Sequence, residues 1–354
     1  MEKILMYPYN RAYRTYVMNE VVDGNKKIES IVSPRGWGFE GETVKCSNRQ
    51  YIITSEFSEE MKKCSIVWFV EDDNLKLPDN TLLEKVKEAI NGGKKIIYTR
   101  YKDGEMYLKV SKMLDETKSQ IEIIDEKMDD IISFKDYCYE IRVPVITIIG
   151  LEERTEKFDV EVALWNRFRQ LGYDVEAIST RLDSNIIGIH PIPRFMFEVG
   201  MTETEKIIKY NHFIKKIEIA KKPEVIIVAI PGAIMPFDRV NHSNFGSMAF
   251  LISMAISSDS SILCSPLYNK TTMDYTEIKE DIFNKFGFEI DYCYIAPITV
   301  DGRSLHEDYE RKLFEIGSEH VSEALENINQ NAISNILIGN NIDEIVEVII
   351  EKLG

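Results

Sequence analysis

The chain has 354 residues, of which 44% are hydrophobic and 29% are charged. This composition is that of an ordinary globular protein, and the length predicts two domains of roughly 150 residues each. The formal net charge of −16 repels polyanions, so it argues against nucleic acid or an anionic membrane surface as a partner. No signal peptide opens the sequence and no apolar run approaches the roughly 20 residues of a membrane span, which predicts a cytoplasmic protein.

The first half of the sequence alternates strand and helix patterns. Apolar, β-branched segments bounded by turn residues predict strands at residues 3–9, 28–34, 51–55 and 64–70. Asp79 or Asn80 is expected to cap a helix that ends at Gly92 and Gly93, before a strand at residues 94–100. Continuous apolar strands joined by amphipathic helices indicate a parallel sheet that is covered on both faces.

The second half repeats the alternation after an irregular stretch at residues 126–142, which divides the chain into domains 1–140 and 141–354. Strands are predicted at residues 143–150, 174–180, 224–232, 261–268, 290–300 and 334–339. Helices are predicted from about residues 158, 203, 245 and 274, followed by a long acidic helix after residue 300 and a terminal helix. Thr202 and Glu205 form the pattern of a capping box. The fold class is therefore α/β, with two Rossmann-like domains.

The five cysteines are odd in number and widely spaced, which predicts free, buried thiols rather than disulfides: Cys46, Cys64, Cys138, Cys264 and Cys293. The five histidines have no metal-ligand spacing among themselves or with cysteine, so no metal site is expected from them. Residues 71–74, Glu-Asp-Asp-Asn, follow a strand and have the oxygen ligands that a divalent cation prefers, but a solvated turn is the favoured interpretation.

Residues 145–168 run from an apolar strand through a charged loop into a helix, which is the arrangement of a phosphate-binding loop. A Walker A loop has the pattern G-x-x-x-x-G-K-[ST], in which the lysine reaches the phosphates and the hydroxyl binds magnesium. Here Gly150 is in place, but Glu156 stands where the lysine is expected, Lys157 comes one residue later, and Phe158 follows. Glu152, Glu153 and Glu156 add negative charge, so the loop is predicted to be a poor triphosphate site.

The helix N-terminus after this loop still offers free N–H groups to an anion. A smaller anion or a peptide carboxylate could bind there, and the candidate ligand-binding residues are Gly150, Arg154, Lys157 and Asp159.

Two further loops follow predicted strands, where ligands bind in open α/β sheets. In the first, Gly36 and Gly38 allow close backbone approach and Trp37 could stack on a ligand, with Ser33 and Arg35 beside them; a tight structural turn is an equal alternative. The second loop begins at Pro231 and Gly232 and contains Asp238, an acid that could help to hold magnesium or position water, and Asn244. Ser243 or Asn244 is more simply a cap of the following helix.

His190 lies between prolines in a third candidate segment, with Arg194 and Phe195 close behind it. His190 could act as a general base, but no set of Ser, Cys and Asp accompanies it in the sequence. The flanking prolines favour a rigid exposed loop, and Phe195, Met196 and Phe197 favour docking against the core or a partner, of which a partner surface is the preferred interpretation.

Six segments resemble the peptide maturation system protein family of clostridial gene cassettes for ribosomally synthesised, modified peptides. They are YPYN (7–10), IVSPRGWG (31–38), VITIIGLEERTEKFDVEVAL (145–164), GIHPIPRFMF (188–197), AIPGAIMPF (229–237) and NFGSMAF (244–250). The resemblance implies company with a radical SAM maturase, a Cys-rich precursor peptide and an acyl carrier-related protein. It implies no particular reaction or cofactor.

The second domain also resembles P-loop NTPases of the dethiobiotin synthetase type, whose fold begins with strand, phosphate loop and helix. The sequence departs from them at Glu156, Lys157 and Phe158, which indicates a degenerate loop.

Two functions therefore remain open at this point. The first is an accessory protein of peptide maturation that binds precursor peptide, maturase or carrier protein in a crevice between the domains, without ordinary NTP hydrolysis. The second is a nucleotide-dependent ligase or phosphotransferase that acts on peptide or carrier through Lys157, Arg154 and Asp238. A third possibility, a plain oligomeric scaffold, would leave such a crevice without a ligand.

Overall fold

The computed structural model describes most of the chain. The described residues are 1–19, 21–22, 25–46, 49–70, 77–99, 105–117, 121–123, 136–236, 242–268, 275–300, 313–317, 320–325 and 337–354. By their contacts they divide into two units. The first contains Met1–Lys127 together with Leu182–Pro191, and the second contains Met128–Arg181 and Ile192–Gly354.

A parallel sheet forms the centre of the first unit. Its strands are β1 (Glu2–Tyr7), β2 (Val21–Val22), β3 (Lys26–Ile31), β6 (Ile66–Phe69), β7 (Lys95–Tyr98) and β8 (Ile121–Ile123), in the order β2-β3-β1-β6-β7-β8. All neighbouring pairs are parallel except β2 with β3. A separate antiparallel ribbon consists of β4 (Thr43–Lys45) and β5 (Gln50–Ile52). The chain therefore passes from β1 to β3 on one side and then returns to β6 on the other.

Both faces of this sheet are covered, and all four residues of its central strand β6 are buried. The helices are α1 (Arg14–Met18), α2 (Phe57–Lys62), α3 (Asp79–Asn91) and α4 (Glu105–Thr117). Leu5 and Val67 belong to the core cluster that also contains Leu82 and Val86 of α3. On Trp68 of β6, the rings of Tyr13 and Tyr16 pack edge-on at centroid distances of 5.9 and 5.3 Å.

The segment Leu182–Pro191 joins the first unit through α1. The Tyr16 hydroxyl donates a hydrogen bond to Asp183 Oδ1 at 2.5 Å, and both atoms are buried. This segment contains a single 3-10 turn, Ser184–Ile187, and the short strand β11 (His190–Pro191). The sequence predicts two contiguous domains, 1–140 and 141–354. This segment lies in the second of these ranges but belongs to the first unit by its contacts.

Six parallel strands form the sheet of the second unit. They are β9 (Val145–Gly150), β10 (Val175–Ser179), β12 (Val225–Ala229), β13 (Ser260–Pro266), β14 (Ile290–Ala296) and β17 (Leu337–Gly339). Their order is β10-β12-β9-β13-β14-β17, and each pair of neighbours is parallel. The first strand, β9, thus lies in the middle, between β12 and β13. The chain changes direction across the sheet at this strand, and ligands of open α/β sheets bind at such a switch point.

The helices of the second unit are α5 (Lys157–Gln170), α6 (Glu203–Lys221), α7 (Ser247–Ala255), α8 (Tyr275–Phe286) and α9 (Ile342–Leu353). The predicted capping box of α6 is confirmed, since Thr202 Oγ1 accepts from Glu205 N and Glu205 Oε2 accepts from Thr202 N. Among the described residues, none of these helices has the length and the apolar content to cross a membrane.

Three local predictions are wrong: the cap of α3, the end of the strand that begins at Ile290, and the long helix after residue 300. The helix α3 begins after Pro78 and has no side-chain cap from Asp79 or Asn80, which are already helical. The predicted strand at residues 290–300 ends at Ala296 because Pro297 cannot donate to the ladder. Residues Ile298–Val300 (β15) instead pair antiparallel with Leu313–Glu315 (β16), where a long helix was expected.

All five cysteines are free, as predicted, but they are not all buried. Cys64, Cys264 and Cys293 are buried, whereas Cys46 is half-buried and Cys138 is exposed. Cys138 lies in the irregular stretch before β9, among exposed residues.

Candidate functional site

The loop of residues 151–156 leaves β9 at the switch point and leads directly into α5. It folds back tightly over Gly150. A Cβ at this position would lie 2.6 Å from the main-chain oxygen of Glu152 and 2.7 Å from Thr155 Oγ1, closer than real Cβ atoms come to other atoms. The Thr155 hydroxyl donates to Glu152 O at 3.1 Å and closes the loop. Gly150 is therefore required by close packing within the loop.

Lys157 is the first residue of α5 and follows a residue in the left-handed conformation. Glu156 has φ of 57° and Arg154 has φ of 61°, a region that glycine adopts more easily than other residues. Glu156 thus stands in a backbone conformation that suits glycine, with the lysine immediately after it. Compared with Walker A, the loop has one more residue between Gly150 and the lysine, a glutamate directly before the lysine, and Phe158 directly after it, where the pattern has a hydroxyl.

The Lys157 ammonium group is turned inward. Its side chain is 8% exposed, and Nζ donates a hydrogen bond to the main-chain oxygen of Gly232, which follows β12. Burial lowers the pKa of Lys157 to about 8, although Cys264 and Glu153 act in the opposite direction. Two of the predicted ligand-binding residues, Lys157 and Gly232, are thereby brought together, but they bind each other.

Two acidic side chains of the loop are held by tyrosines, one in the segment after β13 and one in β14. The Tyr268 hydroxyl donates to Glu152 Oε1 at 3.1 Å, and the Tyr294 hydroxyl donates to Glu156 Oε2 at 3.1 Å. Burial raises the pKa of Tyr294, and the nearby Glu156 raises it further. The carboxylates of Glu152 and Glu156 are thus fixed by hydrogen bonds at the end of the sheet.

The segment after β12 packs against the same loop. Ile234 N donates to Gly150 O at 2.8 Å, and Gly246 lies so close to Ile234 that a Cβ there would be 1.9 Å from Ile234 O. Ser243, Asn244 and Phe245 precede Gly246, and all four residues have positive φ values between 47° and 68°. Such a left-handed turn is strained for residues other than glycine.

This turn corrects the predicted cap of α7. The N-cap is Gly246, without a side-chain cap, and neither Ser243 nor Asn244 occupies that position. Asn244 N instead donates to His242 Nδ1 at 3.2 Å. Asn244 lies two residues before the N-cap, because the left-handed turn continues as far as Gly246, which packs closely against Ile234. Pro231 lies half-buried beside Gly232, and Asp238 lies outside the described residues.

The glycine-rich loop after β3 belongs to the first unit. Ser33 is buried and its hydroxyl donates to Tyr9 O at 2.9 Å, which fixes the start of the loop. Arg35 is exposed and bonds to the carboxylate of Glu56. Gly36 and Gly38 have φ of 89° and 85°, and Trp37 N donates to Pro34 O in a turn. These contacts form a structured turn at the carboxyl end of β3, and Trp37 remains half-buried.

The residues of the third candidate segment are divided between the units. His190 belongs to the first unit and is half-buried, whereas Arg194 and Phe195 belong to the second. Phe195 is buried in the single 3-10 turn Arg194–Phe197, with the ammonium group of Lys209 located 6.0 Å from its ring centroid. The burial of Phe195 favours the core role over the partner surface that was the preferred interpretation.

Sequence reasoning missed Glu161, one helical turn after Lys157. Its side chain is 0% exposed, Oε2 accepts from Ser179 Oγ at 2.9 Å, and no described group bonds to Oε1. Burial raises the pKa of Glu161 to about 8, against the hydrogen bond from Ser179 that lowers it. Burial therefore favours the neutral form of this carboxyl group. Only its place between apolar residues on the inner face of α5 would have indicated burial. Tyr268 and Tyr294 were also missed, since their strand-end positions become visible only in the sheet.

Among the described residues, no group of three or more His, Cys, Asp or Glu side chains could hold a metal ion. Residues 71–74, the divalent-cation alternative from the sequence, lie outside the described residues.

No protein-family model matches the sequence, and no curated protein matches it. Among solved structures, the chain is similar to a DUF1611 family protein from Anabaena variabilis ATCC 29413, with a TM-score of 0.65 and 8% sequence identity. The similarity covers 100% of this chain and 99% of that chain. Aspartate semialdehyde dehydrogenase II from Vibrio cholerae, complexed with ASA, matches at 7% identity over 65% of this chain and 68% of that chain, with a TM-score of 0.25 that carries no argument. At 8% identity the first similarity concerns the fold alone. The chain is therefore a mixed α/β protein with parallel sheets.

Proposed function

We propose that the second unit is a degenerate P-loop domain and that the protein is an accessory factor in the maturation of a ribosomally synthesised peptide. In this role it binds the precursor peptide, the maturase or the carrier protein and performs no ordinary P-loop hydrolysis of NTP. The single observation that carries the proposal is the hydrogen bond from Lys157 Nζ to Gly232 O. It occupies the one ammonium group that a P-loop would direct at phosphate.

The loop itself supports the absence of a triphosphate. Glu152 and Glu156 are fixed at the end of the sheet by Tyr268 and Tyr294, so both carboxylates stay close to the place where phosphates would lie. Each close pair of one carboxylate and one phosphate would repel by about 1 kcal/mol or more at a surface-like dielectric constant. Phe158, which is buried, provides no hydroxyl for magnesium. Binding of NTP would require the rearrangement of all these groups.

The six sequence segments that resemble the peptide maturation family support the peptide context. Two of them, residues 145–164 and 229–237, include the loop after β9 and the loop after β12 that packs against it. The resemblance thus involves the residues that close the loop as well as the strands that position it.

One observation favours the nucleotide-dependent enzyme as a second candidate. Lys157 directly follows a left-handed residue at the start of α5, which is the order of glycine and lysine in a Walker A loop. In an enzyme, Lys157 would have to leave Gly232 O and turn toward a bound phosphate. The partial positive charge at the N-terminus of α5 would help Lys157 to bind that phosphate.

Calorimetric titration with ATP and with GTP, each with and without magnesium, distinguishes the two candidates. We expect no binding by the wild-type protein at millimolar nucleotide. The variant with Glu156→Gly and Phe158→Thr, which restores the G-K-[ST] pattern, is expected to gain magnesium-dependent binding. Micromolar binding by the wild type that disappears in Lys157→Ala would refute the accessory role and favour the enzyme.

The peptide arm of the proposal needs its own measurement. The Cys-rich precursor peptide, labelled with a fluorophore, is titrated with the protein, and its anisotropy is recorded. We expect saturable binding that is unaffected by ATP and magnesium. The same experiment with the maturase and the carrier protein covers the other partners. Absence of binding to all three would remove the accessory role even if no nucleotide binds.

A further inference from the structure

One face of α6 binds an extended segment of the chain through main-chain atoms. We call residues 137–143 the strap; they lead into β9. The side chains on α6 that contact the strap are Asn211, His212, Lys215 and Glu218, and we call them the clamp. Asn211, Lys215 and Glu218 are spaced four and three residues apart and His212 adjoins Asn211, so they form one side of the helix. The strap thus lies along about two turns of α6.

Asn211 binds both the N–H and the C=O group of Tyr139, at the centre of the strap, as a neighbouring β-strand would. Its Oδ1 accepts from Tyr139 N at 2.7 Å, and its Nδ2 donates to Tyr139 O at 2.8 Å. The same amide also donates to Ala255 O of α7 at 2.8 Å, which fixes its orientation. Asn211 is 1% exposed. The amide group therefore recognises one residue of an extended backbone through both of its polar groups.

The other clamp residues bind the strap on either side of Tyr139. His212 Nε2 donates to Tyr137 O at 2.9 Å, and Lys215 Nζ donates to Glu140 O at 2.8 Å. Glu218 Oε1 accepts from Arg142 N at 2.6 Å and from Val143 N at 3.2 Å. Together with the two bonds of Asn211, six main-chain groups of the strap are bound by four side chains.

The electrostatics of the clamp depend on the strap. Burial raises the pKa of Glu218, but hydrogen bonds from Lys215, Arg142 N and Val143 N outweigh it, so that the pKa lies below its ordinary value. Asn211, His212 and Glu218 are all buried with the strap in place. Without a main chain over them, the amide and the carboxylate would each lose the two hydrogen bonds that they make to the strap.

The strap contributes little through its own side chains. Those of residues 137, 138, 140 and 142 are exposed, and none of the strap residues is buried. The ring of Tyr139 lies 5.2 Å from that of Tyr137 and 4.9 Å from the imidazole of His212 between centroids. Because the clamp binds N–H and C=O groups, which every residue except proline provides, it can accept segments of different sequence.

We propose that the clamp on α6 is a surface that recognises the main chain of an extended peptide, and that the strap occupies it as an intramolecular competitor. The proposal rests on the peptide-binding role above and assigns a place to it. A tethered segment has an effective concentration in the millimolar range, so a free peptide competes poorly until the strap is released. Peptide binding is therefore weak in the resting protein and strong once the strap has left α6.

The experiment releases the strap by removing its N–H donors. The triple variant Tyr139→Pro, Arg142→Pro, Val143→Pro keeps the length of the strap but lacks the three N–H groups that Asn211 and Glu218 bind. The probe is the fluorescent heptapeptide YSYEIRV, which has the strap sequence with serine in place of Cys138. We expect it to bind the triple variant at least about ten-fold more tightly than the wild type. A scrambled heptapeptide should bind within a few-fold of it.

Matched controls test the main-chain origin of binding. The same heptapeptide, N-methylated at the three positions that correspond to residues 139, 142 and 143, should not bind the triple variant. Adding Asn211→Ala and Glu218→Gln to the triple variant should abolish binding of the unmodified heptapeptide. Equal binding of the N-methylated peptide, or no binding of the unmodified peptide by a folded triple variant, would overturn the proposal.

Hydrogen exchange of the wild-type protein decides the matter if the triple variant does not fold. The amides of Tyr139, Arg142 and Val143 should be protected, and a large excess of the heptapeptide, but not of its N-methylated form, should accelerate their exchange. Unchanged exchange would contradict the proposal. Precursor binding that persists undiminished in Asn211→Ala, Glu218→Gln would locate peptide recognition elsewhere and leave the accessory role intact.

Discussion

Lys157 and Gly232, 75 positions apart in the sequence, are joined by a hydrogen bond from the lysine ammonium group to the glycine carbonyl. The bond connects the beginning of α5 with the loop after β12. It forms because β12 and β9 are neighbouring parallel strands, whose carboxyl ends lie at the same edge of the sheet. A lysine that sequence position associates with phosphate is thereby used inside the protein.

The burial of Lys157 predicts a pH-dependent stability difference between the wild type and Lys157→Met. The folded-state pKa of about 8 lies below the usual 10.5, so between these values the unfolded chain keeps a proton that the folded protein has lost. The free energy of unfolding of the wild type should therefore increase relative to Lys157→Met by about 3 kcal/mol from pH 8 to pH 10.5. Urea denaturation across this range measures it. The exposed Lys87→Met serves as control, and a flat difference for Lys157→Met would contradict the buried ammonium group.

Glu161 predicts the opposite dependence at lower pH. Its folded-state pKa of about 8 lies above the ordinary 4.5, so its stabilising contribution is complete below pH 4.5 and is lost as pH rises to 8. Relative to Glu161→Gln, the wild type should lose about 3 kcal/mol of unfolding free energy between pH 5 and pH 7. Glu351→Gln on the exposed side of α9 is the matched control. Parallel pH profiles for wild type and Glu161→Gln would show that this carboxyl group is not buried.

The hydrogen bond from Tyr268 to Glu152 predicts that removing the Tyr268 hydroxyl group destabilises the protein more than removing that of Tyr275. Tyr268→Phe leaves the buried carboxylate of Glu152 without its 3.1 Å donor and should reduce the unfolding free energy by about 1–3 kcal/mol. In Tyr275→Phe only the 3.2 Å contact with the Ser265 hydroxyl is lost, and the loss should be smaller. Denaturant titration of both variants gives the comparison. A larger effect of Tyr275→Phe would refute the role of Tyr268.

The contact between Gly246 and Ile234 predicts a steric effect. Gly246→Ala places a Cβ 1.9 Å from a carbonyl oxygen at φ of 68°, whereas Gly287→Ala has a similar φ of 72° and no atom within 4 Å. Both changes introduce left-handed strain of roughly 1–2 kcal/mol, but only the first adds a clash. Thermal unfolding should show a greater loss for Gly246→Ala. Equal melting temperatures of the two variants would mean that the loops after β9 and β12 do not pack as described.

Local patterns were sufficient for many of the elements. Apolar segments such as residues 143–150 and 224–232 predicted strands β9 and β12, because a strand buried on both faces must be apolar at successive positions. Thr202 and Glu205 predicted the start of α6, since a capping box involves only neighbouring residues. The α/β class with parallel sheets followed from the alternation of these elements.

The sequence by itself determined which segments form strands and helices, and that Gly150 ends a strand before a helix. Only the tertiary structure decided what the loop after Gly150 contacts. Tyr294 in β14 and the residues Tyr268 and Gly232, which follow β13 and β12, are distant from it in sequence. The order of strands in a sheet is not contained in local periodicity. The burial of Glu161 and the attachment of residues 137–143 to α6 have the same origin. Each depends on hydrogen bonds between groups that only folding brings within about 3 Å of one another.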